Sequence, residues 1–173
     1  MISLIVACSK NGVIGNNGKI PWKIEGEQRR FLDLTVNNIV IMGRKTYEEI
    51  GHPLLNRFTY VISTTKKFRS TYVETVDSLD KALENAKKFY PEKEIFIVGG
   101  SSLYEKALEM DIIDRMYVTI IDKVVAGDRF FPLFDYDKRF ILEFDNSYKP
   151  SSEYTYYTYY RCKRVEDIER IMS

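Results

Sequence analysis

The chain has 173 residues, 45% of them hydrophobic, and a formal net charge of +1. That length suits one domain with a sizeable core and argues against a disordered chain. Acids and bases are interspersed, which excludes the electrostatic footprint of a nucleic-acid binder or of an anionic-membrane binder; any anion site has to be local.

Residues 2–8 form a short apolar run bounded by polar residues and Asn-Gly, the pattern of a buried central strand. This start lacks the basic flank and apolar length of a signal peptide, and no run approaches the roughly 20 apolar residues of a membrane span. A cytoplasmic protein with no membrane partner is expected. Residues 11–19, rich in Asn and Gly, read as a long flexible loop. A helix is expected over 25–35, with Phe31, Leu32 and Leu34 as its apolar stripe and Glu25, Gln28 and Arg29 facing away. A second buried strand spans 36–42 and is closed by Gly43.

Residues 46–50 make a short helix stopped by Gly51 and Pro53, and 58–63 a third strand. Val73 leads to Asp77-Ser78, an N-cap signal for a helix through Lys88 with Leu79, Ala82, Leu83 and Ala86 on one face. Then come a strand over 94–98, a helix over 102–108 and a strand over 115–122. After Gly127 the alternation stops, and 140–144 and 154–162 read as two strands joined through Pro150. The expected fold is a single α/β domain. It has a mostly parallel twisted sheet of about eight strands, an antiparallel C-terminal edge hairpin and about four flanking helices. Residues 164–173 are a charged tail, either a short helix or frayed.

Two strand-to-helix turns can hold anions. Gly43-Arg44-Lys45-Thr46 offers free backbone N–H groups at a helix start beside two cations, and Ser63-Thr64-Thr65-Lys66 adds hydroxyls and another cation. Read alone, this is also a plain turn with solvated bases. Gly99-Gly100-Ser101-Ser102 repeats the design: two glycines allow close approach, and Ser101 or Ser102 can cap the following helix. Neither a three-glycine dinucleotide fingerprint nor a P-loop is present, and a tight turn is the plainer reading. Two such turns in one small domain point to a nucleotide with separated phosphates. Trp22 and Glu27 stand where a carboxylate with apolar neighbours could give protons, although a helix-start acid is commonly there only for the dipole. His52, between Gly51 and Pro53, reads as exposed and incidental. Cys8 and Cys162 read as free thiols, and so few Cys and His leave a zinc site without ligands.

In order, Ile14-Gly15, Pro21-Trp22, Glu27 with Phe31, Ile41-Met42-Gly43-Arg44, Arg57, Val98-Gly99-Gly100, Tyr104, Thr119 and Gly127-Asp128 resemble dihydrofolate reductases from Met1 to about Cys162. The resemblance implies one domain over 1–163, with an adenosine-binding subdomain at about 38–90. It implies NADPH as cofactor, dihydrofolate as substrate and a monomer.

By the same resemblance, Glu27 is the catalytic acid, Trp22 holds a water beside it, and Thr119 hydrogen-bonds its carboxylate. Ile5, Val6, Phe31, Ile50, Leu54 and Val98 wall the pterin and aminobenzoyl rings, with Gln28 and Leu32 beside them. Arg57 forks onto the α-carboxylate of the glutamyl tail. The cofactor is expected to touch Ala7, Val13, Ile14, Gly15 and Asn16, then Asn17, Gly18, Lys19 and Ile20 as the loop closes, with Asp128 holding that loop. Its phosphates fall to Gly43, Arg44, Lys45 and Thr46, to Ser63 and Thr64, and to Gly99, Gly100, Ser101, Ser102, Leu103 and Tyr104.

This chain departs from the family at Ser101, where many members have a third Gly, and at Gln28, usually apolar in bacterial enzymes. Gly26-Glu27-Gln28 resembles the antifolate-insensitive, plasmid-borne members, which implies weak trimethoprim binding. A pyrimidine reductase of riboflavin synthesis, or a silent nucleotide-binding protein, shares the cofactor turns. Trp22, Glu27 and Arg57 together favour folate.

Overall fold

A computed structural model describes residues 1–132, 139–144 and 147–162. In chain order the elements are β1 (Ile2–Ser9), β2 (Val13–Gly15), α1 (Arg29–Thr35), β3 (Ile39–Gly43), α2 (Arg44–Ile50), β4 (Phe58–Ile62), β5 (Arg69–Ser70), β6 (Val73–Val76) and α3 (Leu79–Phe89). There follow β7 (Ile95–Ile97), α4 (Ser101–Glu109), β8 (Arg115–Ile121), β9 (Arg129–Phe130), β10 (Phe140–Phe144) and β11 (Tyr154–Arg161). Nine strands make one sheet in the order β10-β11-β8-β1-β7-β3-β4-β6-β5. From β8 to β6 every pairing is parallel, while β11, β10 and β5 run antiparallel at the edges. The expected α/β architecture and closing hairpin are present. The two-residue β5 was not anticipated, being too short to show alternation. The expected tail at 164–173 lies outside the described residues.

Strand alternation sorts the core into two faces. Ile2, Leu4, Val6 and Cys8 of β1 enter the main core with Leu79, Ala82, Leu83 and Ala86 of α3 and Leu103, Ala107 and Leu108 of α4. Ile5 points the other way, to Phe96 and Tyr117, where Phe31 and Leu34 of α1 pack. A third cluster, Val40, Met42, Val61 and Val73, receives Ile50, Leu54 and Val98. Val98 belongs to both of the last two groups and joins them.

Two local expectations need correction. The helix expected over 25–35 begins only at Arg29, since Gly26 takes φ +79°, a left-handed conformation that stops a helix. Its fully buried positions are Arg30 and Thr35, whereas Leu32 is 48% exposed, so the helix lays a partly polar face on the sheet. The segment 11–19 is not wholly loop. β2 pairs with β9, and beyond it Asn16 and Lys19 exchange both backbone hydrogen bonds around Asn17 (φ 49°) and Gly18 (φ 75°). Two central residues with positive φ make a tight hairpin turn. At α2 and α3 the punctuation works as read. Ser78 Oγ accepts from Lys81 N at 3.2 Å to start α3, and Gly51 (φ 78°) ends α2.

Candidate active site

The anion turns converge because their strands are neighbours. β7, β3 and β4 lie side by side and parallel, so Gly99-Gly100, Gly43-Arg44 and Ser63-Thr64 all emerge at the carboxyl edge of the sheet. This is where open α/β sheets bind ligands. Gly43 N donates to Gly99 O at 2.8 Å, and the Gly99–Gly100 peptide is cis. Gly99 has φ +117°, and a Cβ there would crowd the Tyr104 hydroxyl at 3.2 Å. That hydroxyl donates to Ile5 O at 2.8 Å, tying α4 to β1.

Helix α4 starts with Gly100 as its N-cap and no side-chain cap, which corrects the expectation that Ser101 or Ser102 caps it. Ser102 is exposed, and the buried Ser101 Oγ has no hydrogen-bond partner. Helix α2 likewise starts from Gly43 without a side-chain cap. Both helix starts therefore keep free amide donors. Leu103 and Tyr104 are buried in the main core. Thr46 is half-buried beside Gly100, and Lys45 is exposed.

Glu48, which the sequence did not single out, organises the cations. It accepts from Arg44 Nη1 at 3.2 Å and from Lys66 Nζ at 2.7 Å, and Lys66 is the main cause of its lowered pKa. The i,i+4 spacing from Arg44 was the available signal. Ser63 Oγ accepts from Lys66 N at 3.0 Å, and Ser63 and Thr64 line an open groove of about 460 Å³ with Asp77, Lys81 and Asn85.

The hairpin carrying Asn16, Asn17, Gly18 and Lys19 leans on Asp128. Asp128 Oδ2 accepts from Asn17 N at 3.1 Å, and its own N–H donates to Gly15 O at 3.1 Å. Gly127 permits that contact, for a Cβ there would fall 2.7 Å from Gly15 O and clash with the Val13 side chain. Val13 is fully buried, Ile14 packs against the main core, Ala7 is half-buried and Ile20 is 52% exposed.

Glu27 sits in the turn between Gly26 and α1, two residues before the helix begins. Its position on a helix was misjudged, but its burial was not: it is 7% exposed. Burial pushes its carboxyl pKa up, while Trp22 and Gln28 draw it down. The Trp22 indole N–H is buried without a partner at hydrogen-bond distance, although it faces the carboxylate closely enough to lower that pKa.

Tyr156 Oη donates to the backbone oxygens of Glu27 at 3.0 Å and Gly26 at 3.2 Å. Thr119 lies in register with Ala7 and Tyr156 on this face of the sheet, but no hydrogen bond links it to the Glu27 carboxylate, contrary to expectation. Val6 also differs. Alternation turns its side chain into the opposite core, so it cannot share a wall with Ile5. Ile5, Phe31 and Val98 do meet, with Ile50 and Leu54 next to Val98. Gln28 is exposed, as is Leu32.

Arg57 is buried at 8% exposure. Its Nε donates to Thr35 Oγ1 at 2.7 Å, Nη2 to Leu32 O at 3.0 Å and Nη1 to Leu55 O, with the Phe31 ring 6.0 Å from its Cζ. A guanidinium has five donors, so two remain. His52 is exposed, with its Nδ1 2.9 Å from the neighbouring Pro53 O. Cys8 is buried and Cys162 half-buried, both as free thiols. No helix of the described residues is long and apolar enough to cross a membrane.

Comparison with known proteins matches residues 1–164 to the family model described as dihydrofolate reductase. The dihydrofolate reductase of Buchnera aphidicola subsp. Baizongia pistaciae is 41% identical over 135 residues, covering 78% of this chain and 79% of that protein. Dihydrofolate reductase type 3 of Salmonella typhimurium is 37% identical over 153 residues, covering 88% of this chain and 90% of the relative. Among solved structures, dihydrofolate reductase from Enterococcus faecalis, complexed with NADP(H) and RAB-propyl, superposes with a TM-score of 0.78. Its identity is 29%, over 93% of this chain and 96% of that one.

Proposed function

The chain belongs to the dihydrofolate reductase family, and from that premise we propose that it reduces 7,8-dihydrofolate to 5,6,7,8-tetrahydrofolate, with hydride delivered to C6 and a proton to N5. The enzyme is an NADPH-dependent oxidoreductase. It works as a cytoplasmic monomer in one-carbon metabolism. One observation carries the reading: a carboxyl group, Glu27, withdrawn from water beside Trp22 on the face that also holds Ile5 and Phe31.

Glu27 recognises the pterin amino group and N3 as a hydrogen-bond acceptor, and fixes the ring's orientation. Desolvation raises its pKa toward the working pH, where a group can both hold and release a proton. The Trp22 N–H, lacking a protein partner, orients a water that relays the proton toward N5. Thr119 completes this wall by its place in register with Tyr156 rather than by a bond to the carboxylate. Ile5, Phe31, Ile50, Leu54 and Val98 exclude water around the rings. Val6 contributes through its backbone alone. Arg57 offers its two remaining donors to the tail α-carboxylate, and its buried bonds to Thr35, Leu32 and Leu55 hold it in one orientation.

The residues fit a dinucleotide. The uncapped starts of α2 and α4 and the partnerless Ser101 Oγ are donors to phosphate oxygens, and Gly43, Gly99 and Gly100 leave the backbone open to close approach. Arg44, Lys45, Ser63 and Thr64 surround the place for a 2′-phosphate. When bound, the cofactor supplies the hydride. The 16–19 hairpin, steadied by Asp128, closes over the nicotinamide end and keeps water out.

The test is loss of nicotinamide absorbance with and without dihydrofolate, followed against pH. Turnover that requires dihydrofolate, and that falls as pH rises through the Glu27 pKa, is expected; absence of dihydrofolate-dependent oxidation overturns the reading.

A further inference from the structure

Arg30 is the largest side chain buried at under 2% exposure, and the proposed chemistry gives it no part. It lies three residues past Glu27, on the first turn of α1, and inserts between that helix and the β8–β11 pair. Its Cζ stands 5.0 Å from the centre of the Tyr156 ring and 5.1 Å from that of Tyr117. Nη1 donates to Tyr157 O at 2.8 Å, and Nη2 to Thr158 Oγ1 at 2.5 Å. Tyr117 and Thr158 face each other in register, as do Tyr156 and Thr119, so one guanidinium spans two consecutive same-face positions of the strand pair.

We infer that Arg30 is a positioning residue for the Glu27 carboxylate, acting through Tyr156: its caged guanidinium fixes the Tyr156 ring, whose hydroxyl holds the backbone oxygens of Gly26 and Glu27. The physical case rests on what lies at each end of this chain. Glu27 is outside the helix, behind a left-handed Gly26; its own N–H reaches Ile24 O only at 3.5 Å, and α1 holds the turn through Arg29 N, which donates to Gly26 O at 3.1 Å. From the sheet side the same turn is held by the shared Tyr156 O–H, which also reaches Glu27 O. Tyr156 is fixed by Arg30 over one face and by Tyr148 and Tyr154, at 4.8 and 5.2 Å between ring centres. A buried cation hydrogen-bonded to β11 has little rotational freedom, since leaving the cage would break charged hydrogen bonds in a low-dielectric setting. The depth of the acid is thus set from the sheet as well as from the start of α1.

The inference rests on Glu27 being the functional acid, so the experiment reads the carboxyl and the turnover separately. In the apo protein, Glu27 titration is followed by carboxyl-labelled NMR. In the holoenzyme, single-turnover hydride transfer and the KM for dihydrofolate are measured, with NADPH affinity by fluorescence quenching. The groups that act on the Glu27 carboxyl are Trp22 from the preceding loop and Gln28 at the start of α1, with Tyr156 of β11 near enough to feel its charge and the Tyr154 hydroxyl beside Gly26.

Tyr156→Phe keeps the ring and removes only the hydroxyl. It should let water reach the carboxyl, lower its titration midpoint toward the ordinary carboxylate range and slow hydride transfer near neutrality about 5- to 100-fold. NADPH affinity should stay within about twofold, because the phosphate turns are on other strands. Arg30→Met should do the same, Arg30→Lys should recover part of the loss, and Arg30→Met with Tyr156→Phe should be no worse than Arg30→Met alone.

An unchanged Glu27 midpoint and unchanged rate in Tyr156→Phe overturn the inference, even if the Arg30 variants fail to fold. Additive losses in the double variant also overturn it. A shifted Glu27 midpoint in a protein whose wild type never turns over dihydrofolate would sink the functional reading and leave the positioning role standing.

Discussion

At the scale of single residues, burying the Glu27 carboxyl makes stability depend on pH. Its pKa is raised in the folded state by burial, so the native protein binds protons more readily than the unfolded chain. The stability this contributes is present in full below the unfolded carboxyl value and is lost as pH rises through the folded one. Glu27→Gln should therefore melt at a higher temperature than wild type at about pH 8, and the difference should close by about pH 4. The same variant should lose on the order of 10²- to 10⁴-fold in turnover near neutrality while still binding NADPH. Full activity in Glu27→Gln would remove the acid from the mechanism. The two thiols give a second contrast. Burial pushes Cys8 up to about 11, so its thiolate is scarce as well as shielded. A thiol reagent at neutral pH should modify the half-buried Cys162 and spare Cys8 until the protein unfolds; equal rates at both would show that β1 opens readily.

Among the elements, the 16–19 hairpin and α3 are set by local bonds that single substitutions can test. Asp128→Ala removes the acceptor for Asn17 N and leaves the Gly15 O bond in place. The hairpin should close less often, and single-turnover hydride transfer should slow about tenfold with little change in melting temperature. An unchanged rate would mean that the β2–β9 pairing alone holds the loop. In α3, Ser78→Ala deletes the bond to Lys81 N and should cost about 1 kcal/mol in urea denaturation, without touching turnover. A smaller cost would show that the packing of Leu79 and Ala82 already fixes the helix start.

For the whole molecule, ligand binding and fold stability are one equilibrium. NADPH at a hundred times its Kd should add about 2.7 kcal/mol to unfolding if it binds the folded state alone. Gln28 is exposed beside the buried acid, a polar side chain at the edge of the proposed pterin site. Weak trimethoprim inhibition, by about tenfold or more relative to sensitive enzymes, is expected; 1.4 kcal/mol of lost contact is enough. An inhibition constant like that of a sensitive enzyme would show that Gln28 does not touch the inhibitor.

Much of this was legible in the chain because it depends on local rules. The apolar run of β1, the Ser78 cap, Gly51 after α2 and the Gly-Gly turn each carry their physics within a few positions. The order of those signals, read with Trp22, Glu27 and Arg57, was enough to point to the family. Tertiary structure decided what no window of sequence contains. It set which face of β1 receives Val6, since one residue of register moves a side chain across the sheet. It brought Lys66 from beyond β4 onto Glu48 of α2, adding a distant cation to the local i,i+4 pair with Arg44. It buried Arg30 in a cage whose walls lie some 90 to 130 positions away along the chain, a contact that exists only after β8 and β11 pair. Long-range packing of a charged side chain leaves no period and no motif, so only the folded molecule could reveal it.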